Sequence, residues 1–162
     1  KRSDLMRQLF MKQMVSGEKD NFTIKDRRGE EVYTVAFDET DSDILFSISN
    51  HGQQPVVLIK EDQESCQKRY CIHSEGQEIF IVEADETLVE CRAISDELSI
   101  NGDMLSMTFD VMYGYRKVGK IRKRWIPSEN SYELTIFESD REGVLLGLMA
   151  CLDFTMCCPS NY

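Results

Sequence analysis

Short runs of alternating apolar and polar residues, broken by glycine-bearing turns, dominate the chain. Phe22 and Ile24 precede the turn Asp26-Arg27-Arg28-Gly29-Glu30, and Val32, Tyr33 and Val35 follow it. Ile44, Phe46 and Ile48 alternate up to Asn50-His51-Gly52-Gln53-Gln54, and Val56 to Ile59 continue beyond. Tyr70 and Ile72 run into His73-Ser74-Glu75-Gly76-Gln77, followed by Ile79 to Val82. Leu98 and Ile100, then Leu105, Met107 and Phe109, flank Asn101-Gly102-Asp103. Val111 lies before Tyr113-Gly114-Tyr115, and Val118 and Ile121 after it. Period-two alternation with glycine where a tight turn needs positive φ predicts a series of β-hairpins. Gly29, Gly52, Gly76 and Gly102 recur about every 24 residues, a hairpin-sized quasi-repeat. Ten or more short strands in one small domain predict a sandwich or a barrel, and a barrel removes exposed edges.

Near the C-terminus the period changes. Ser139 and Glu142 have the spacing of a capping box, and a run from Gly143 to Leu152 follows that is apolar on every face of a helix. Such a helix must be surrounded by protein or by lipid. The run is ten residues long, whereas a bilayer requires about 20. Burial inside the protein is therefore expected, with Gly143, Gly147 and Ala150 letting the surrounding strands come close. The predicted architecture is mainly β: one domain over residues 1–162, a closed antiparallel barrel around a buried helix at about residues 140–157.

Three stretches carry a family resemblance. They are Asn21-Phe22-Thr23-Ile24-Lys25-Asp26-Arg27-Arg28-Gly29-Glu30-Glu31-Val32-Tyr33-Thr34-Val35, then Val118-Gly119-Lys120-Ile121-Arg122-Lys123-Arg124-Trp125 with Ser131-Tyr132-Glu133-Leu134-Thr135-Ile136, and Ala150-Cys151-Leu152-Asp153-Phe154. In order and spacing, from about Met6 to Phe154, the chain resembles the LURP-one-related proteins of the tubby C-terminal-like superfamily, which includes phospholipid scramblases. The resemblance implies about twelve strands around a central C-terminal helix. It also implies a relation to proteins that bind phosphoinositides, tether to membranes or take part in lipid movement. No residue here aligns with the lipid ligands of tubby domains, so none is transferred, and fold analogy alone does not assign function.

Charge narrows the partners. The balance is −10, from 29 acidic and 19 basic residues, which disfavours nucleic acid. Against that background, Arg116, Lys117, Lys120, Arg122, Lys123 and Arg124 place six cations within nine residues. On a strand, Lys120, Arg122 and Arg124 share one face, and Gly119, Ile121, Lys123 and Trp125 the other. The first face could present cations to phosphate groups, arginine forks being well shaped for phosphate oxygens, with Trp125 at headgroup level or packed inward. The alternative is a solvated face neutralised by acids such as Glu83, Asp85 and Glu86.

Other features carry less. Asp153 reads as a buried carboxylate, as the exit of the helix, or as the partner of a strand arginine. Cys157-Cys158-Pro159 could accept palmitate or form a simple tail. The acidic run Asp38 to Asp43 lacks the glycine and terminal glutamate of a calcium loop. Cys66, Cys71, Cys91, Cys151, Cys157 and Cys158 include no CxxC pair, and His51 and His73 sit apart, so neither zinc nor another cofactor is expected. Free thiols suit a reducing compartment, and Lys1 to Gln13 contains no signal-peptide core, so the expected location is cytoplasmic or peripheral at a membrane. No catalytic motif is present, and His73 near Cys71 makes no dyad without an orienting group, so an enzyme is not expected. The expectation is a binding or tethering module for an anionic phospholipid or a protein partner, with no transmembrane span.

Overall fold

A computed structural model describes residues 6–13, 22–38, 43–64, 68–85, 90–103, 106–124 and 131–157. Twelve strands follow one another: β1 (Arg7–Lys12), β2 (Phe22–Lys25), β3 (Glu31–Phe37), β4 (Ile44–Asn50), β5 (Pro55–Glu61), β6 (Lys68–Ser74), β7 (Gln77–Asp85), β8 (Glu90–Ile94), β9 (Ser99–Asp103), β10 (Thr108–Tyr113), β11 (Arg116–Arg124) and β12 (Ser131–Ile136). A short 3-10 turn (Ser139–Arg141) leads into the helix α1 (Glu142–Cys157).

All twelve strands belong to one sheet, in the order β8-β7-β6-β5-β4-β3-β2-β1-β12-β11-β10-β9. Every neighbouring pair is antiparallel. The chain is thus a meander with one jump: β1 pairs with β12, which joins the two halves of the sheet. The sheet curls into a nearly closed barrel, and among the described residues no ladder joins β8 to β9.

Alternation decides which residues point inward. Leu9 and Met11, Phe46 and Ile48, Val57 and Ile59, Ile72, Phe80 and Val82 are all within about 1% of complete burial and face the lumen. The lumen is filled by α1. From Val144 to Asp153 every residue is buried, Leu145 to Asp153 completely. Removing each large aliphatic side chain from water stabilises the fold by about 1.5–3 kcal/mol, which explains why so short an apolar run holds its place. The helix packs against β5, β6, β7, β8 and β12. Its glycines set the approach: a Cβ on Gly147 would lie 2.7 Å from both Ile72 Cγ2 and Val57 Cγ1. On the opposite wall, a Cβ on Gly119 would lie 2.6 Å from Leu145 Cδ1. At the far end Phe154 joins Phe37, Phe46 and Tyr70, with ring centroids 5.8–5.9 Å away, and this aromatic cluster closes that mouth.

Several local expectations change. Gly29, Gly76 and Gly114 take positive φ in their turns, as the hairpin pattern requires. At the β4–β5 turn the positive φ belongs to Gln53 rather than Gly52, because Asn50 already braces the loop by accepting the Gln54 N–H at 3.0 Å. Gly102 is a strand residue: β9 runs through to Asp103, and the reversal falls later, with Met107 at φ 55. Gly102 does take positive φ, at 141°, and a Cβ there would lie 2.7 Å from the Phe109 Cα, so glycine serves both the backbone and the close strand approach. The capping box does not form. The turn before α1 has no side-chain cap, and the Glu142 carboxylate instead accepts the Tyr33 hydroxyl and pairs with Arg7 at 3.5 Å. A phenol and a guanidinium from the barrel wall compete successfully for that carboxylate.

Candidate functional site

The cationic segment is β11, and its two ends have different surroundings. At the end beside the Gly114 turn, Arg116 forks onto Glu138 and Lys117 pairs with Asp110 at 3.3 Å. The Arg116 and Arg141 guanidinium carbons lie 4.9 and 5.0 Å from the Tyr113 ring centroid, and Arg141 also bonds Glu97 at 2.6 Å. Charge at this end is locally balanced.

Further along, Lys120, Arg122 and Arg124 share the outer face, as the alternation predicts. Arg122 and Arg124 lie 3.1 and 3.9 Å from the same carboxylate, Glu133 on β12. One acid therefore serves two guanidiniums that are 48% and 52% exposed. Lys120 forms no ion pair among the described residues. Lys123 points the other way, its ammonium 5.6 Å from the Tyr132 ring centroid at the barrel rim. Trp125 lies outside the described residues. The neutralising acids are thus Glu138, Asp110 and Glu133, from strands and turns adjacent to β11. Glu83 is elsewhere, pairing with Arg69 at 3.8 Å and Arg92 at 2.6 Å, and β7 lies far from β11 in the sheet order. Asp85 and Glu86 side chains lie outside the description.

Sheet order adds residues that linear reading missed. Lys12 on β1 stands opposite Ser131, which stands opposite Arg124; Lys25 on β2 stands opposite Phe10, which stands opposite Glu133. Alternation alone places Phe10 and Lys12 on an outer face. Only the β1–β12 jump puts that face beside β11.

Asp153 is completely buried and accepts the Tyr132 hydroxyl at 2.5 Å. It still lies within the barrel, and this partner is a strand tyrosine rather than an arginine. At the other mouth, a groove of about 700 Å³ is lined by Arg7, Tyr33, Lys60, His73, Glu142 and Gly143. Burial first, and then the Glu142 carboxylate, push the Tyr33 phenol well above its ordinary pKa. It therefore stays a donor, and Tyr33–Glu142–Arg7 pins the start of the helix to the wall.

His73 is a β6 residue, not a turn residue, and is half-buried. Its Nε2 lies 3.9 Å from Glu78, and the Cys71 thiol hydrogen-bonds the same carboxylate. The three groups do converge. Their electrostatics oppose nucleophilic chemistry: burial, then Glu78, push the thiol pKa up to about 11. Neither Cys71 nor Cys151 is in a disulfide, while the side chains of Cys66, Cys91, Cys157 and Cys158, and most of the Asp38–Asp43 run, lie outside the described residues. Among the described residues no helix is long and apolar enough to cross a membrane.

The LURP-one-related family model matches residues 7–153, which spans β1 through the buried part of α1. The chain belongs to the LURP-one-related family. A crystal structure of a protein from Arabidopsis thaliana shares the fold, with a TM-score of 0.62 at 14% identity over 94% of this chain and 92% of that one. No curated protein sequence matches the chain significantly. For this LURP-one-related protein, Tyr132 and Asp153 fall inside the matched span, and so does all of β11.

Proposed function

We propose that this protein is a non-enzymatic binding or tethering module that docks on anionic phospholipid headgroups through the outer face of β11. One observation carries the reading. Arg122 and Arg124 face solvent against one shared carboxylate, and Asp110, opposite Lys120, is already paired with Lys117, leaving a cationic row on a protein whose net charge is −10. Two guanidiniums held side by side suit phosphate oxygens, and the shared Glu133 is displaced or bridged when phosphate arrives. In such a module the barrel is scaffold: α1 fills the lumen, so ligands meet the outside. The protein is then cytoplasmic and peripheral at the membrane. The protonated Cys71 thiol supports binding over catalysis. Vesicle sedimentation at low salt tests the reading. Recovery should rise when phosphatidylserine is added to phosphatidylcholine vesicles, and should fall for the triple variant Lys120→Glu/Arg122→Glu/Arg124→Glu. Equal recovery on neutral and anionic vesicles removes it.

A second reading rests on the β10–β11 turn. Tyr115 is fully exposed and Tyr113 is 40% exposed, with two guanidiniums within 5.0 Å of its ring centroid. Tyrosine and arginine are enriched where proteins dock on proteins. A protein partner at this tip would be unaffected by the β11 triple variant and lost with Tyr115→Ser.

A further inference from the structure

We propose that the cleft between β1 and β2 binds a phosphate ester carried on an apolar stem. This rests on the anionic-headgroup reading of the β11 face and extends it to a specific seat for the ligand. The β1–β2 ladder has only two registered pairs, Phe10 with Lys25 and Met11 with Ile24. Beyond them the strands part, and Lys12 and Thr23 face a slot rather than each other. The slot has a volume of about 360 Å³, and its walls include Phe10, Lys12, Phe22, Thr23, Lys25 and Ser131.

The lining chemistry is selective. In a chain with 29 acidic residues, none of the described lining residues is acidic. Lys12 and Lys25 supply ammonium charges, and Thr23 and Ser131 supply hydroxyl donors for phosphate oxygens. Phe10 on the outer side and Phe22 on the inner side supply apolar surface. Phe22 is backed edge-on by Phe37 at 6.2 Å, which connects it to the aromatic cluster at the barrel mouth. Among the described residues, acids near the slot include Glu31, opposite Lys25 on β3, and Glu133, opposite Phe10 and already shared by Arg122 and Arg124. Two strand steps of about 4.8 Å separate Lys12 from Arg124, so one phosphate can sit in the slot while a second reaches the arginines. Lipid headgroups and soluble phosphate esters share this chemistry.

The experiment compares four proteins: wild type, Lys12→Gln/Lys25→Gln, Arg122→Gln/Arg124→Gln, and the distant control Arg92→Gln. Each is first shown to melt cooperatively. One arm measures sedimentation with phosphatidylcholine vesicles containing phosphatidic acid. The other titrates glycerol 3-phosphate and follows the amide resonances of Thr23 and Lys25. The cleft predicts a loss of about tenfold or more in vesicle affinity for the lysine pair and none for Arg92→Gln, with glycerol phosphate shifts at Thr23 and at position 25 in the wild type and in Arg92→Gln but not in the lysine pair. Wild-type affinity in the lysine pair, with loss in the arginine pair, overturns the cleft and leaves the face reading standing. If no vesicle binds, the face reading falls. Amide shifts at Thr23 and Lys25 then support the cleft as a site for soluble esters, and their absence overturns it.

Discussion

Asp153 shows what single residues contribute in this barrel. A fully buried carboxyl group is costly unless it is hydrogen-bonded, and Tyr132 reaches across from β12 to supply a bond of 2.5 Å. Tyr132→Phe keeps the ring and removes the donor, so it should destabilise the fold by about 1–3 kcal/mol in urea unfolding. A midpoint unchanged from wild type would show that the bond contributes nothing. At Cys71 the sign of the shift gives a pH prediction. A thiol pKa of about 11 leaves the thiolate scarce at neutral pH and populates it only as pH rises towards that value. Alkylation of Cys71 should therefore accelerate through an apparent midpoint near 11, and Glu78→Gln should lower that midpoint by removing both the accepting carboxylate and its charge. A midpoint at the ordinary thiol value in both proteins contradicts this environment. At this scale the sequence announced that Asp153 was unusual without revealing its partner, since Tyr132 lies 21 residues away. The convergence of Cys71, His73 and Glu78 was equally hidden, because Glu78 lies on the next strand.

At the scale of elements, period-two alternation was readable because each strand shows one face to an apolar lumen. Where a side chain or a close strand contact overrode local rules, the reading slipped. Asn50 moved the positive φ to Gln53, Gly102 became a strand contact, and Tyr33 diverted Glu142 from capping. The helix was legible because a run apolar on all faces leaves few options. Its glycines make a sharp prediction. Gly147→Val inserts atoms where a Cβ already meets Ile72 and Val57 at 2.7 Å, and should cost about 1–3 kcal/mol by thermal denaturation. Leu148→Asp places a charge at a completely buried position and should abolish the cooperative transition altogether. Retention of a wild-type melt by the aspartate variant would mean that the helix can turn Leu148 to water.

For the molecule as a whole, one pairing organises everything: β1 with β12. It turns a meander into a barrel, and it carries Phe10, Lys12 and Lys25 to the side of Arg122 and Arg124. Nothing local in the sequence encodes that neighbour relation, which is why the cations of β11 were visible as a run and the cleft beside them was not. The same topology makes the helix indispensable, because the inward residues of the strands that contact it lie against α1. A chain ending at Ser139 should be insoluble or lack a cooperative melt, since close-packed interiors do not tolerate a void of that size. Hydrogen exchange of the intact protein tests the enclosure most directly. The amides of Leu145 to Leu152 should exchange only through global unfolding, as slowly as those of the central strands. Exchange of these amides at rates typical of surface segments, with the strands still protected, would mean that the helix is not housed inside the sheet.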